Sequence, residues 1–210
     1  MDIKVFTQNS IQIKTKELTI YVDPFEMHEE PKDADFILVT HEHYDHFSPQ
    51  DIEKVSSGSS VMVVPESMEK KAKEAEKLVG KIATVIPNES YDMDGFRLET
   101  VPAYNPLKPF HPKGKNWVGY LIEVDGERVY IAGDTDDTKE AKTVHCDIAL
   151  VPVGGMYTMD AKKAAELVNT IRPKLAIPTH YRAGIGSENA GEEFAKLVAS
   201  DIKVEILKQY

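Results

Sequence analysis

Three of the seven histidines fall within six residues, in the segment HEHYDH at positions 41–46. A continuous apolar run directly precedes this segment and predicts a strand that is buried on both faces. Residues two apart in an extended chain point to the same side, so His41 and His43 can bind one cation. As the chain turns, Asp45 and His46 can face a second cation. Imidazole and carboxylate ligands suit zinc, iron or manganese rather than calcium, so the segment predicts a metal site.

The cysteine count bears on what kind of metal site this is. Structural zinc sites are closed, four-coordinate and usually rich in cysteine, whereas Cys146 is the only thiol in the chain. A solvated loop that binds nothing is the other alternative, but histidines after a core strand would bring it no structural benefit. A single cysteine also excludes an internal disulfide, which fits a reducing compartment such as the cytoplasm.

The charge of the chain narrows the class of partner. With 25 basic and 35 acidic residues, the formal net charge is −10. Such a surface repels phosphate backbones and anionic membranes, so we expect a small-molecule substrate and no nucleic-acid partner. No apolar run reaches the length of a membrane span, and the first residues show no signal-peptide pattern. We therefore expect a cytoplasmic protein without a membrane span, and we leave homo-oligomers open.

The order of the predicted elements indicates the fold class. Antiparallel strands give way to mixed strands and helices twice along the chain, which is more sheet-rich than a doubly wound fold. Two mixed sheets with helices on their outer faces, in one domain over residues 1–210, fit this order best. The predicted strands are Ile3–Thr7, Ser10–Lys14, Leu18–Val22, Phe36–Thr40, Val61–Val64, Ile82–Ile86, Phe96–Val101, Val118–Val124, Arg128–Ala132, Ile148–Val153, Leu175–Pro178 and Lys203–Ile206, and the predicted helices begin at Ser48-Pro49 or span Met68–Val79 (closed by Gly80), Asp160–Ile171 and Ser187–Ala199.

Similar dipeptides end three predicted strands from distant parts of the chain. They are Thr40-His41, Gly133-Asp134 and Thr179-His180. Potential ligands at the ends of several strands suggest one convergent site at the edge of a sheet. Asp23 follows another strand, and it could orient a ligand histidine through its second ring nitrogen or simply begin the turn before Pro24.

These landmarks, in this order, resemble the metallo-β-lactamase superfamily. Residues 40–46 are similar to its His-x-His-x-Asp-His signature, and the strand ends at Asp23, Asp134 and His180 resemble its other landmarks. The resemblance runs from about Ile3 to Tyr181 and is nearest to small hydrolases similar to ascorbate-6-phosphate lactonase and N-acyl-phosphatidylethanolamine phospholipase D. It implies an α/β (α+β) fold, a four-layer αββα sandwich with a two-metal site at one edge.

The resemblance also implies a ligand set for two divalent cations, zinc in the first place, with manganese or iron as alternatives. It assigns His41 and His43 to the first cation, Asp45, His46 and His180 to the second, and Asp134 to both.

The third ligand of the first cation departs from the family pattern. The family usually has a histidine just after the strand equivalent to Phe96–Val101, where this chain reads PAYNP at positions 102–106. His111 is the nearest histidine, and we expect it to be this ligand. The alternative is that Asn105 or water completes the site and that His111 contacts substrate.

Hydrolysis is the predicted chemistry. Two cations roughly 3.5–4 Å apart can share a water and lower its pKa, which would give a bridging hydroxide. We expect it to cleave an ester or lactone of a small substrate that can carry a phosphate. A phosphodiester is the alternative, and a non-catalytic metal-binding or sensing protein is the alternative of another class. By resemblance, Asp45 and Asp134 serve catalysis, and Tyr181 could stabilise an oxyanion or simply pack.

Two loops are expected to line the substrate pocket, Tyr104–Trp117 and Gly154–Asp160. Lys113 could anchor an anionic group such as a phosphate, or its ammonium group could simply be solvated. Predicted substrate contacts are Tyr104, Asn105, Lys113, Met156 and Tyr157.

Overall fold

The computed structural model describes residues 1–182 and 184–207. The chain divides into two compact units, Met1–Ile86 (unit 1) and Pro87–Leu207 (unit 2). Each unit contains one mixed sheet and its own helices, so the prediction of two mixed sheets with helices is confirmed. That residues 1–210 form one domain stays a prediction, and residues 208–210 lie outside the described part.

The sheet of unit 1 has six strands that lie side by side in chain order. The first two pairs are antiparallel and the remaining three are parallel. The third and fourth strands are almost entirely buried, as expected for parallel strands covered on both faces. The strands are β1 (Asp2–Val5), β2 (Ile11–Lys14), β3 (Thr19–Val22), β4 (Ala34–Leu38), β5 (Ser56–Pro65) and β6 (Lys81–Val85).

Helix α1 (Pro49–Val55) begins as the sequence predicts. The Ser48 side chain accepts a hydrogen bond from the Asp51 amide, and Pro49 occupies the first turn, where no amide proton is required. The buried face of α1 packs on the sheet through Ile52 and Val55.

The predicted helix 68–79 is broken into three short helical segments. A 3-10 turn (Glu66–Met68), helix α2 (Glu69–Ala72) and a second 3-10 turn (Lys73–Leu78) follow one another. Gly80 follows the last segment, but it does not adopt the left-handed conformation with which a glycine usually ends a helix. Instead the chain passes close to β5, and a Cβ at this position would lie 2.9 Å from the Ser59 carbonyl oxygen.

The sheet of unit 2 has seven strands in reverse chain order. Its first four strands pair antiparallel and its last four pair parallel. The first strand was not predicted, because its residues are polar and half-exposed, as suits a sheet edge. The strands are β7 (Ser90–Met93), β8 (Phe96–Pro102), β9 (Val118–Val124), β10 (Glu127–Ile131), β11 (Ile148–Pro152), β12 (Leu175–Thr179) and β13 (Lys203–Val204).

Helices α3 (Ala161–Ile171) and α4 (Ala190–Leu197) cover this sheet. The Asp160 side chain caps α3 by accepting a hydrogen bond from the Lys163 amide. Leu167, Val168 and Phe194 are fully buried in the core of unit 2. Helix α4 begins three residues later than predicted, and short 3-10 turns occur at Lys113–Lys115 and Ala141–Thr143. The described residues contain no helix long and apolar enough to cross a bilayer.

Strand direction determines where the chemically interesting loops emerge. In unit 1, β3 and β4 are parallel, with Val22 beside Leu38, so both end at the same edge. In unit 2, β10, β11 and β12 are parallel, and β8 runs in the same direction because β9 is antiparallel to both β8 and β10. The segments after these four strands therefore meet at one edge of the second sheet.

Candidate metal centre

In unit 1, a fully buried carboxylate supports the histidine segment. Asp23 follows β3 in a left-handed conformation, with φ of 46°, which is uncommon for a residue with a side chain. Its oxygens accept hydrogen bonds from the Thr40 amide (2.8 Å), the Thr40 hydroxyl (2.7 Å) and the Asn9 side chain (2.8 Å). It also lies 2.7 Å from Nδ1 of His46. A carboxylate only accepts, so Nδ1 of His46 carries the proton and the lone pair is on Nε2.

Thr40 fixes the tautomer of a second histidine in the same way. Because its hydroxyl proton is donated to Asp23, the hydroxyl can only accept from Nδ1 of His41, which lies 3.0 Å away. The lone pair of His41 is therefore also on Nε2, the nitrogen that a metal would bind. This role of Thr40 was not predicted. The position of Thr40 directly before the first histidine could have indicated it.

The candidate ligands of unit 1 converge. The ligand atoms of His41 and His43 lie within 4.8 Å of one another, as do those of His41 and His46 and those of Asp45 and His46. His41 Nε2 is 2.9 Å from His43 Nδ1, and His46 Nε2 is 3.6 Å from Asp45 Oδ2. His41, Asp45 and His46 are buried, so water competes little for these atoms.

In unit 2, one carboxylate lies between two histidines. Asp134 follows β10, and its Oδ2 is 3.1 Å from Nε2 of His111 while its Oδ1 is 3.2 Å from Nε2 of His180. All three side chains are buried. His180 has a left-handed φ of 53°, a strained conformation that is often found at functional sites. One carboxylate with one oxygen toward each of two imidazoles is the arrangement expected of a bridging ligand.

The structure places Asn105 behind His111. Its side-chain amide lies 3.0 Å from Nδ1 of His111 and donates to the Tyr157 carbonyl, while its backbone amide donates to the His111 carbonyl. Asn105 is thus on the side of the imidazole opposite the nitrogen that faces Asp134. This placement suits a residue that orients His111 better than a ligand in its place.

Tyr104 and Lys113 share an acidic partner that the sequence analysis did not identify. The Tyr104 hydroxyl donates to Glu140 (2.8 Å), and the Lys113 ammonium also lies 2.8 Å from Glu140. The hydrogen bond from Lys113 to Glu140 raises the pKa of Lys113 and keeps it cationic. Glu140 offsets this charge, which makes Lys113 less suited to anchor an anionic group, and its role as a substrate contact stays a prediction.

Tyr181 packs in the core of unit 2. Its hydroxyl lies against Gly191 of α4, where a Cβ would be only 2.5 Å from the hydroxyl oxygen. Burial raises the pKa of Tyr181, and among the described residues its hydroxyl has no hydrogen-bond partner. This environment favours packing, the second of the two roles considered, and the role of oxyanion donor stays a prediction.

Two side chains fasten the two loops of unit 2 together. The Lys108 ammonium donates to the carbonyls of Gly155 and Thr158, and the Phe110 ring meets Tyr157 edge-on with centroids 5.0 Å apart. Met156 is exposed between these contacts. The predicted substrate residues Met156 and Tyr157 therefore lie beside the segment that carries His111.

Gly154 supports His180 from the next strand. A Cβ at Gly154 would lie 2.4 Å from the His180 carbonyl oxygen, so only glycine allows the two backbones to approach this closely. The sequence predicts the loop that begins at Gly154 but not this contact, because a dipeptide does not reveal which backbone it faces.

The chain is similar to proteins of a known family. Residues 2–180 match the β-lactamase superfamily domain. A UPF0173 metal-dependent hydrolase of Pyrococcus abyssi is 33% identical over 186 residues, which cover 86% of this chain and 81% of that protein.

Solved structures are also similar. A crystal structure of a candidate metal-dependent hydrolase from Parabacteroides distasonis has a TM-score of 0.82 and 31% identity, covering 99% of this chain and 93% of that one. YhfI from Bacillus subtilis, a metallo-β-lactamase fold protein, has a TM-score of 0.77 at 11% identity, covering 96% of this chain and 89% of that one. At that identity, the second likeness concerns the fold alone.

The chain therefore belongs to the β-lactamase superfamily and has the metallo-β-lactamase fold. Within the superfamily it is a metal-dependent hydrolase, the class in which its relatives are named. The predicted fold class and enzyme class are both confirmed.

Proposed function

We propose that two divalent cations bind to the side chains described above, and that the enzyme hydrolyses an ester or lactone of a small molecule. Zinc is the first candidate, with manganese or iron as alternatives. The proposed ligands are His41, His43, Asp45, His46, His111, Asp134 and His180. A cytoplasmic location also belongs to this proposal, supported by the single cysteine.

The placement of Asp134 carries the proposal. Each oxygen of this buried carboxylate lies 3.1–3.2 Å from an imidazole nitrogen, a spacing that favours a shared proton or a shared cation at each pair. The donor set of imidazole nitrogens and carboxylate oxygens suits zinc, manganese and iron. The tautomers of His41 and His46 are fixed in the form that a metal requires.

Bound cations would supply a water of lowered pKa and a Lewis acid for the scissile carbonyl. The protein's own groups prepare that chemistry. Asp23 and Thr40 hold two imidazoles, and Asn105 holds a third. We assign to Asp45 the role of holding or accepting a proton, since its carboxylate is buried next to His46.

An ester or lactone fits better than a phosphodiester. A phosphate group is usually bound by a cationic side chain, and the predicted anchor, Lys113, is already paired with Glu140. The substrate is therefore expected to contact the protein mainly through neutral groups. A purely metal-binding protein fits less well, since the relatives are named hydrolases.

Metal removal and one substitution test the proposal. Chelated protein should lose activity on a panel of esters and lactones and regain it when zinc is added. Asp134→Asn should lower kcat/KM by at least about 10²–10³-fold and lower the metal content measured by mass spectrometry. Asp137→Asn is the matched control, because Asp137 pairs with Lys142 and should leave both properties unchanged. Full turnover by metal-free protein would overturn the proposal.

A further inference from the structure

Large apolar side chains stand exposed on both loops of unit 2. Leu107 is 88% exposed, Met156 57% and Phe110 52%. Exposed apolar side chains that cluster on a soluble protein often mark a binding site. We call these three residues, with Tyr157, the apolar rim.

The rim is held in place by contacts of its own. Lys108, next to Leu107, donates to the carbonyl of Gly155, next to Met156. Phe110 and Tyr157 meet edge-on. These contacts hold the two loops together, so the apolar side chains of both loops lie in one region of unit 2.

The rim is connected to a proposed metal ligand. Phe110 directly precedes His111, and the Tyr157 carbonyl accepts a hydrogen bond from Asn105, whose amide lies 3.0 Å from the His111 ring. A group bound on the rim would thus lie within a few residues of the ligand set, where the non-reacting part of a substrate belongs.

The charges around the rim favour an uncharged ligand. Lys108 donates to backbone carbonyls, and Lys113 is paired with Glu140. The Lys115 ammonium lies over the Trp117 ring, 5.5 Å from its centroid. Each lysine of the loop is therefore already engaged, and aliphatic and aromatic surface is what remains for a substrate.

We propose that the apolar rim binds the apolar acyl or aryl group of the substrate, so that the enzyme selects uncharged esters or lactones with a bulky apolar substituent. This inference rests on the proposed hydrolase function. It adds Leu107 and Phe110 to the substrate contacts and assigns Met156 and Tyr157 an apolar ligand.

A chain-length comparison tests the inference. The ratio of kcat/KM for p-nitrophenyl octanoate to that for p-nitrophenyl acetate is measured with zinc-loaded protein. The wild type should prefer the octanoate, and Leu107→Ser/Met156→Ser should lower this ratio about 10-fold. Both side chains are more than half exposed, so the variant should fold. Leu197→Ser is the matched control, because Leu197 is 49% exposed on α4 and outside the rim, and its ratio should equal that of the wild type.

A binding measurement separates this inference from the hydrolase proposal. The neutral amide N-octylacetamide, titrated calorimetrically, should bind the wild type about 10-fold more tightly than the double variant, with or without turnover of either ester. Equal binding, or an unchanged ester ratio, would overturn the inference. So would binding to phosphatidylcholine vesicles that the double variant loses while it keeps its octanoate preference, since the rim would then serve a lipid surface. If the wild type binds N-octylacetamide as expected but hydrolyses neither ester, that result counts only against the hydrolase proposal.

Discussion

The two units assemble their candidate ligands in opposite ways. Unit 1 takes four side chains from one six-residue segment after a single strand, whereas unit 2 takes one from each of three separate segments. Unit 1 fixes two imidazoles through one buried carboxylate, Asp23, and the hydroxyl of Thr40. Unit 2 relies on a neutral amide at Asn105 and on close backbone contact at Gly154. A compact segment can be oriented by one charged acceptor, while dispersed ligands need contacts between loops.

The largest effect expected from this difference concerns the two supporting residues. Asp23→Ala would leave buried donors of Asn9, Thr40 and His46 without their acceptor, so the free energy of unfolding should fall by about 3 kcal/mol or more. Asn105→Ala removes a smaller set of hydrogen bonds and should cost about 1–2 kcal/mol. Metal affinity should fall about 10–100-fold for either variant. Urea denaturation of metal-free protein and chelator competition measure the two quantities.

Thr40→Ser provides the control for unit 1, because it keeps the hydroxyl that links Asp23 to His41. This variant should retain metal affinity close to that of the wild type. If Asp23→Ala and Asn105→Ala lost equal stability, the contrast between a charged and a neutral support would be wrong.

The same contrast explains what the sequence could predict about the site. The ligands of unit 1 are a local pattern, and the first of the two roles considered for Asp23, orientation of a histidine, could also be anticipated. Asp134 and His180 could be predicted as ligands because each follows an apolar strand. The roles of Asn105 and Gly154 could not be predicted, since they depend on which loop packs against which.

The fold was predictable wherever apolar residues alternate or run continuously. The hairpin at Asp125-Gly126 is present, and both residues have left-handed φ values, as a tight two-residue turn requires. The polar edge strand β7 gave no apolar signal. The prediction of one helix over 68–79 is wrong for a different reason. The chain forms three short helical segments there and then passes close to β5 at Gly80, a contact that the local sequence does not reveal.

A pair of glycine substitutions gives the next largest effect. Gly154→Ala should cost about 1–3 kcal/mol of stability and should also weaken metal binding, because the added Cβ must displace the His180 carbonyl. Gly80→Ala in unit 1 meets the Ser59 carbonyl instead and should cost comparable stability with no change in metal affinity. Thermal unfolding and zinc titration of both variants distinguish the two outcomes. Unchanged zinc affinity in Gly154→Ala would remove Gly154 from the support of His180.

The smallest effect concerns how each unit responds to acid. Burial alone would raise the pKa of Asp51 in unit 1, but hydrogen bonds from Ser48, Lys54 and the Met27 amide outweigh burial and hold that pKa below its usual value. In unit 2, the ion pair with Lys174 and the hydrogen bond from the Arg128 amide lower the pKa of Asp147. A carboxyl with a lowered folded-state pKa stabilises the fold above its unfolded-state pKa, and this contribution is lost as the pH falls through the folded-state value.

Asp51→Asn should therefore lose about 1 kcal/mol of stability near neutral pH, and its difference from the wild type should shrink as the pH falls below about 5. Asp147→Asn should show a smaller loss with the same pH dependence. The two variants should differ in metal binding, because Asp51 also accepts from the Glu26 and Met27 amides, just after Asp23, and from the hydroxyl of Ser48, the N-cap of the helix that follows His46. A roughly twofold loss of zinc affinity is expected for Asp51→Asn alone. Equal zinc affinity in the two variants would show that the histidine segment of unit 1 is oriented by Asp23 and Thr40 without help from α1.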